Sequence, residues 1–336
     1  MLRPMTITRP RRGGRSRRLS RPAHEKIYGS IWKLLDLCRR EGFWWIFAFL
    51  VVVALVPPIF FHFRLQRLHQ MRTRKCGWVE KPPLVCAHGG DTTNAFPNTM
   101  AAYLSAIQGN VDCIEIDVSR SADGVLLAIH DRDLHQITGN TSLKVGNMVA
   151  EEIKHLSSWY HRSILKYEEQ AIPTAEEAIM FISTKVKQVI VDVKVGPPMF
   201  EKGLAKDILF VVEMTKCKNC LVWGKSDTLI QEIIKLSPQI STGYVVMIDP
   251  ESGIITNPVR INGAKVAGVY HKLIDSNLVR ILHRKNISVY TWTVDDEVSM
   301  RHAIYEGIDA VVTNKPATLQ RLIHYTKTQC RAASTI

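Results

Sequence analysis

The sequence predicts an α/β chain whose parallel strands close into a (β/α)8 TIM barrel, preceded by a disordered basic N-terminus and one transmembrane helix. Three observations carry this. Short apolar, β-branched runs recur at 84–87, 112–118, 125–129, 188–194, 220–224, 242–247, 264–270, 287–293 and 308–312. Helix-like stretches separate most of them, and alternation of this kind builds a parallel sheet that closes after eight repeats. Residues 84–325 suffice for one barrel of the usual ~250 residues, which argues against a second domain.

Nine runs exceed eight strands, so one lies outside the parallel set. Asp123-Gly124 joins the second and third runs. A link that short makes a hairpin, since a parallel crossover needs a dozen residues or more. The first helix reads from Thr99 to Gln108, capped by Asn98 or Thr99.

Ahead of the barrel, residues 1–42 are expected to be a disordered basic segment, 43–63 a transmembrane helix and 64–83 a linker; 326–336 reads as a tail. Ten arginines and two lysines in residues 1–40 face only Glu25 and Asp36, so most of the net charge of +13 sits there. The barrel region is close to neutral, and the basic pI therefore does not indicate nucleic-acid binding by the folded domain. The Arg- and Ser-rich, acid-free residues 1–22 also look like part of an organelle transit peptide. A composition of 46% hydrophobic and 22% charged residues excludes a wholly disordered chain.

From Phe43 to Phe63 the only ionisable side chain is His62. Twenty apolar residues at ~1.5 Å each cross the ~30 Å hydrocarbon layer. Trp44 and Trp45 fit one interface, Arg64 and Arg67 the other, while Pro57-Pro58 would interrupt the backbone hydrogen bonds. The excess of basic residues before the segment and the sequons at Asn140 and Asn286 favour a single-pass protein with its barrel lumenal or extracellular. Of seven cysteines, Cys86 and Cys113 read as core thiols. Cys217 and Cys220 are an isolated Cys-x-x-Cys, a disulfide if the barrel is lumenal and no zinc site.

The chemistry is concentrated at strand ends. In Cys113-Ile114-Glu115-Ile116-Asp117 the two acids point to one side of a strand, which calls for a cation to meet them. Divalent metal or paired basic side chains would serve. Further strand ends carry His88, followed by Gly89-Gly90, and the pair His130-Asp131. Catalytic groups of parallel barrels sit at the C-terminal ends of strands.

These stretches resemble the glycerophosphodiester phosphodiesterases, whose pattern runs His-Arg-Gly, Pro-Glu-Asn-Thr, Glu-x-Asp, His-Asp, Glu-x-Lys. Here the counterparts are His88-Gly89-Gly90, Pro97-Asn98-Thr99, Glu115-Ile116-Asp117, His130-Asp131 and Asp192-Val193-Lys194. Ile172-Pro173-Thr174, Val289 to Asp295 and Gly307 to Pro316 extend the likeness. It implies hydrolysis of a glycerophosphodiester to sn-glycerol 3-phosphate and an alcohol. Glu115, Asp117 and Asp192 would hold one divalent cation, Mg2+ or Ca2+ rather than zinc given the oxygen donors. His88 and His130 would exchange protons, with Lys194 on the phosphate and Trp292 lining the substrate pocket.

Three departures stand out. The arginine expected to face the phosphate is Gly89, the motif glutamate is replaced by Pro97, and Asp192 replaces a glutamate. Restoring arginine at 89 would on this reading strengthen binding. Two rival readings follow: a lysophospholipase D brought to the bilayer by its anchor, and an inactive barrel that binds glycerophosphodiesters.

Overall fold

The computed structural model describes residues 23–165, 172–196, 201–250 and 252–332. They fall into two compact units that divide at His69 and Gln70.

Helix α1, Ala23–Cys76, dominates the first unit, and its stretch Gly42–Arg67, with mean hydropathy 2.5 and nothing buried, is long and apolar enough to cross a membrane. Two expectations are corrected. Residues 23–42, assigned to the disordered segment, and 64–76, assigned to the linker, are helical. Their leucines, arginines and lysines favour helix, and a helix once nucleated extends at small cost per residue. Pro57 and Pro58 lie within the helix without ending it. Residues 1–22, expected to be disordered, lie outside the described residues.

The second unit is the barrel. Its elements are β1 (Leu84–His88), α2 (Met100–Gln108), β2 (Cys113–Arg120), β3 (Leu126–Ala128), α3 (Asp131–Thr138), α4 (Ala150–Leu165), α5 (Ala175–Ile182) and β4 (Gln188–Val193). There follow α6 (Leu204–Met214), β5 (Cys220–Gly224), α7 (Asp227–Leu236), β6 (Ser241–Val246), β7 (Val266–Tyr270), α8 (Ser276–Arg284), β8 (Ser288–Trp292), α9 (Glu297–Tyr305), β9 (Ala310–Thr313) and α10 (Pro316–Ala332). Strand order is β1-β9-β8-β7-β6-β5-β4-β2, and pairing of β1 with β2 closes the ring. Every one of these pairings is parallel. The extra strand is β3, antiparallel to β2 through the Asp123-Gly124 turn, as the short link requires. Helix α10 runs to Ala332, beyond the expected start of the tail at 326.

Period-two alternation sorts the barrel's side chains. On β2, Ile114, Ile116 and Val118 pack outward against α5, α6 and their neighbours, while Cys113, Glu115 and Asp117 face the interior. The lower interior is filled by Cys86, Cys113, Ile190, Leu221, Trp223, Val266, Tyr290, Ala310 and Val312. Trp223 owes its place to two glycines. A Cβ on Gly268 would lie 2.7 Å from its ring, and one on Gly243 would lie 3.2 Å from its Cβ. Gly268→Ala would displace the indole, while Gly243→Ala would crowd Trp223 Cβ and Val266.

The cysteine reading is corrected at one pair. Cys86 and Cys113 are register partners on β1 and β2, with Cα atoms 4.4 Å apart, and they form a disulfide rather than standing as free core thiols. Both point inward because each lies an even number of residues below His88 or Glu115. Cys217 bonds Cys220, and Cys76, at the end of α1, bonds Cys330 on α10.

Candidate active site

The inward positions at the C-terminal strand ends form one cavity. Its walls include His88 (β1), Glu115 (β2), His130 before α3, Asp192 (β4) with Lys194 just beyond that strand, and Trp292 (β8), with Trp223 also among the lining residues. Asp117 is fully buried beside it. All seven residues expected from sequence are thereby brought together.

The acids are neighbours by register. β2 and β4 pair Asp117 with Asp192, and β1 and β2 pair His88 with Glu115. Asp117 carries most of the local charge traffic: Lys194 Nζ is 2.6 Å from its Oδ1, Arg132 Nη2 is 2.8 Å from its Oδ2, and Asn98 Nδ2 donates to Oδ2 at 3.0 Å. Burial would push the Asp117 carboxyl up, but Lys194 and Arg132 together hold it far below the usual carboxylate range. Lys194 also pairs with Asp192. Burial disfavours its charge, and Asp117, Asp192 and Glu115 outweigh that and keep the ammonium protonated. Glu115 goes the other way: burial first, then the charges of Asp117 and Asp192, raise its pKa well above the ordinary value.

These groups fit a divalent cation. One ligand atom from each of His88, Glu115 and Asp117 lies within 4.8 Å of the others, a spacing that bonds of ~2.0–2.6 Å to a shared ion can span. Asp117 Oδ1 is buried and accepts no hydrogen bond in good geometry despite the nearby ammonium. Among the described residues, Glu115 receives only the Gly89 N–H, at 3.2 Å, besides His88 Nε2 at 3.9 Å. Asp192 is not a member of this group of three.

The histidines are held in opposite tautomers. Asp295 accepts from the Asn314 amide nitrogen at 2.7 Å, which leaves Asn314 Oδ1 facing His88 Nδ1 at 2.8 Å. A carbonyl oxygen only accepts, so Nδ1 carries the proton and Nε2 presents its lone pair to the cavity, 3.2 Å from Arg132 Nη2. His130 caps α3. Its Nδ1 accepts the Arg132 backbone N–H at 3.2 Å and Asp133 answers on the His130 N–H at 3.1 Å, so the neutral ring keeps its proton on Nε2. Burial, then Lys194 and Arg132, push its pKa down to about 3 despite the opposing charge of Asp117.

Sequence reading missed four contributors. Asn98, buried with φ +60°, does not cap α2; Thr99 does, accepting from Ala102 at 3.3 Å. The Asn98 amide instead ties Asp117 to Asp133, and its Oδ1 accepts the Asp117 backbone N–H at 3.0 Å. Asn314 orients His88. Arg132 and Lys225 line the cavity as additional cations. Lys225 and Asn314 each stand two residues beyond an inward residue, Trp223 and Val312, and the same alternation points to them.

Gly89 cannot simply be restored to arginine. Its φ is +64°, and a Cβ there would lie 3.0 Å from Pro97 Cβ and 3.3 Å from Asn98 N. The two departures from the family pattern are thus in contact, Pro97 occupying the space beside the missing side chain. Gly89→Arg is expected to cost roughly 1–3 kcal/mol and to lower the melting temperature, contrary to the gain in binding expected from sequence. Thermal unfolding of that variant checks this, and an unchanged melting temperature would refute it.

The comparisons agree with this geometry. Residues 88–318 match the model of the "Glycerophosphoryl diester phosphodiesterase family". A relative named glycerophosphodiester phosphodiesterase GDPD4, from Arabidopsis thaliana, is 51% identical over 282 residues, covering 83% of this chain and 85% of its own. A glycerophosphodiester phosphodiesterase from Caldanaerobacter subterraneus is 27% identical over 71% of this chain and 97% of its own. Among solved structures, an Oleispira antarctica phosphodiesterase in complex with the product sn-glycerol-3-phosphate superposes with TM-score 0.63 and 25% identity, covering 73% of this chain and 98% of that one. The glycerophosphodiester phosphodiesterase of Thermotoga maritima, at 22% identity and TM-score 0.55 over 71% of this chain and 98% of its own, shares the fold. With the family's motifs gathered at one barrel mouth and this chain matched along most of the barrel, the protein belongs to the glycerophosphoryl diester phosphodiesterase family.

Proposed function

We propose that this enzyme, a glycerophosphodiester phosphodiesterase, hydrolyses glycerophosphodiesters to sn-glycerol 3-phosphate and a free alcohol with the help of one divalent cation. The observation that carries the reading is the meeting of two histidines, three acids and Lys194 at one cavity. Glu115, Asp117 and Asp192 would hold the cation, Mg2+ or Ca2+, with Asp192 released from Lys194 to join the other two. The bound ion would draw negative charge off the phosphoryl oxygens.

The chain's own groups do the rest. His88 Nε2, whose lone pair faces the cavity beside Arg132 Nη2, takes the proton of the attacking hydroxyl, from water or from the neighbouring hydroxyl of the glycerol, once that guanidinium contact yields. Asn314 and Asp295 hold that imidazole in the required tautomer. His130 would act as the acid: the anionic diester raises the basicity that burial and the neighbouring cations hold low, the ring takes up a second proton at Nδ1 in place of the Arg132 N–H contact, and the imidazolium then gives its Nε2 proton to the leaving oxygen. Lys194 adds positive charge to the phosphate. Trp292, whose Nε1 donates to Gly268 O at 2.8 Å, presents ring surface rather than a donor to the glycerol or headgroup.

A single-pass anchor with a lumenal or extracellular barrel is the favoured topology. It is supported by the apolar stretch 42–67 and by three disulfides, all C-terminal to it, which persist in oxidising compartments. The exposed sequon residues Asn140 and Asn286 agree with it. The substrate would then be a soluble glycerophosphodiester or a lipid of the adjoining bilayer.

Choline release tests the substrate class. The purified full-length protein is expected to turn over glycerophosphocholine with a higher kcat/KM than lysophosphatidylcholine. The reverse order would make it a lysophospholipase D, and release from neither would leave an inactive binding barrel.

A further inference from the structure

The phosphate of a diester bound at this mouth has lost the arginine that the family pattern places at position 89, and Pro97 closes the space in which that side chain would start. Two other cations reach the same cavity from different elements. Arg132 comes from the first turn of α3. Its Nη2 is engaged with Asp117 and His88, while Nη1 makes no hydrogen bond to a described residue. Lys225 comes from the C-terminal end of β5, inward by the alternation that places Leu221 and Trp223 inside.

Lys225 is the more telling of the two. It lines the cavity and forms no hydrogen bond or ion pair with any described residue. Lys194 and Arg132, by contrast, are both bound to Asp117. Burial, Lys194 and Arg132 disfavour its charge more than Asp192 and Asp117 favour it, and no carboxylate of a described residue pairs with it directly, so an anion entering from solvent stabilises it.

We propose that Lys225, with Arg132 beside His88, replaces the missing arginine as the grip on the substrate's phosphate. This rests on the phosphodiesterase reading of the same cavity. Lys225 meets the anion as a flexible point charge and Arg132 as a planar fork, so the phosphate is bound between β5 and α3 instead of beside β1. The displaced grip orients the diester from the α3 and β5 side, while His88 retains the β1 side for proton removal.

The test is calorimetric binding of sn-glycerol 3-phosphate to the full-length protein, together with steady-state hydrolysis of glycerophosphocholine. Lys225→Met, which leaves no partner group orphaned, is expected to weaken product binding by about 10- to 100-fold and to raise KM more than it lowers kcat. Mg2+ binding measured alone should be unchanged. Lys225→Arg should recover most of the affinity, and Arg132→Lys should keep part of it. Wild-type affinity and KM in Lys225→Met, in a preparation whose wild type binds and turns over, would overturn the cation grip and leave the enzymatic reading standing. A wild type that binds the product without turnover would overturn the enzymatic reading, and the variants would still decide the grip. If the wild type neither binds nor turns over, both fall.

Discussion

Replacing Asp117 by asparagine is expected to remove both turnover and a large part of the barrel's stability, whereas Glu115→Gln removes turnover and leaves the metal-free fold intact. The difference follows from their opposite charge environments. Asp117 is fully buried between Lys194 and Arg132, so neutralising it removes the carboxylate they share and leaves Lys194 only Asp192 and Arg132 only the more distant Asp133. Breaking a buried pair in this way costs about 3–5 kcal/mol. Burial and the charges of Asp117 and Asp192 raise the Glu115 pKa, so its negative charge is disfavoured in the metal-free protein and a neutral amide of the same shape is tolerated there. Thermal unfolding in chelator separates the two variants, and calorimetric titration with Mg2+ or Ca2+ should find weakened binding in both. Equal stability of the two would refute the charge assignment.

A sign for pH follows from the same residue. A carboxyl whose folded pKa lies above its unfolded value of about 4.5 binds its proton more tightly in the native state. Its contribution in the metal-free protein therefore falls as pH rises through that window. A cation competes with that proton, so metal affinity is expected to strengthen as pH rises through that window, where binding releases protons.

Loss of either histidine is the second large effect, about 10²–10⁴-fold in kcat. His130 also caps α3, so His130→Ala would mix a catalytic loss with a structural one of about 1 kcal/mol. His130→Asn keeps an acceptor for the Arg132 N–H and isolates the proton transfer. Its melting temperature should match wild type while turnover falls. For His88, the variant Asn314→Ala is expected to lower kcat by less than His88→Ala, because it frees the ring to adopt the wrong tautomer without removing the base. Full activity in His88→Ala or His130→Asn would exclude the acid–base roles.

Much of this site was legible because strand periodicity is local. Glu115 and Asp117, like Asp192 and Lys194, are two apart, and one rule places both pairs inward whatever the rest of the fold does. The nine strands and the hairpin at Asp123-Gly124 were readable for the same reason. Contacts that depend on closure of the ring were not. The Cys86–Cys113 disulfide needs the register of β1 against β2, which only the completed barrel fixes. Arg132 enters the cavity from a helix start that carries no strand alternation, and the role of Asn98 depends on a left-handed backbone bridging two acids distant in sequence. In α1, the reading bounded the helix by its apolar stretch, 43–63, whereas the polar flanks on both sides continue it.

The most direct measurement is release of sn-glycerol 3-phosphate from glycerophosphocholine by the full-length protein, purified in detergent and stripped of metal with a chelator. Turnover should disappear, return on adding Mg2+ or Ca2+, and fail to return in Glu115→Gln. Hydrolysis that persists undiminished in chelator, or that survives the loss of Glu115, would contradict a cation held by the acids of β2 and β4.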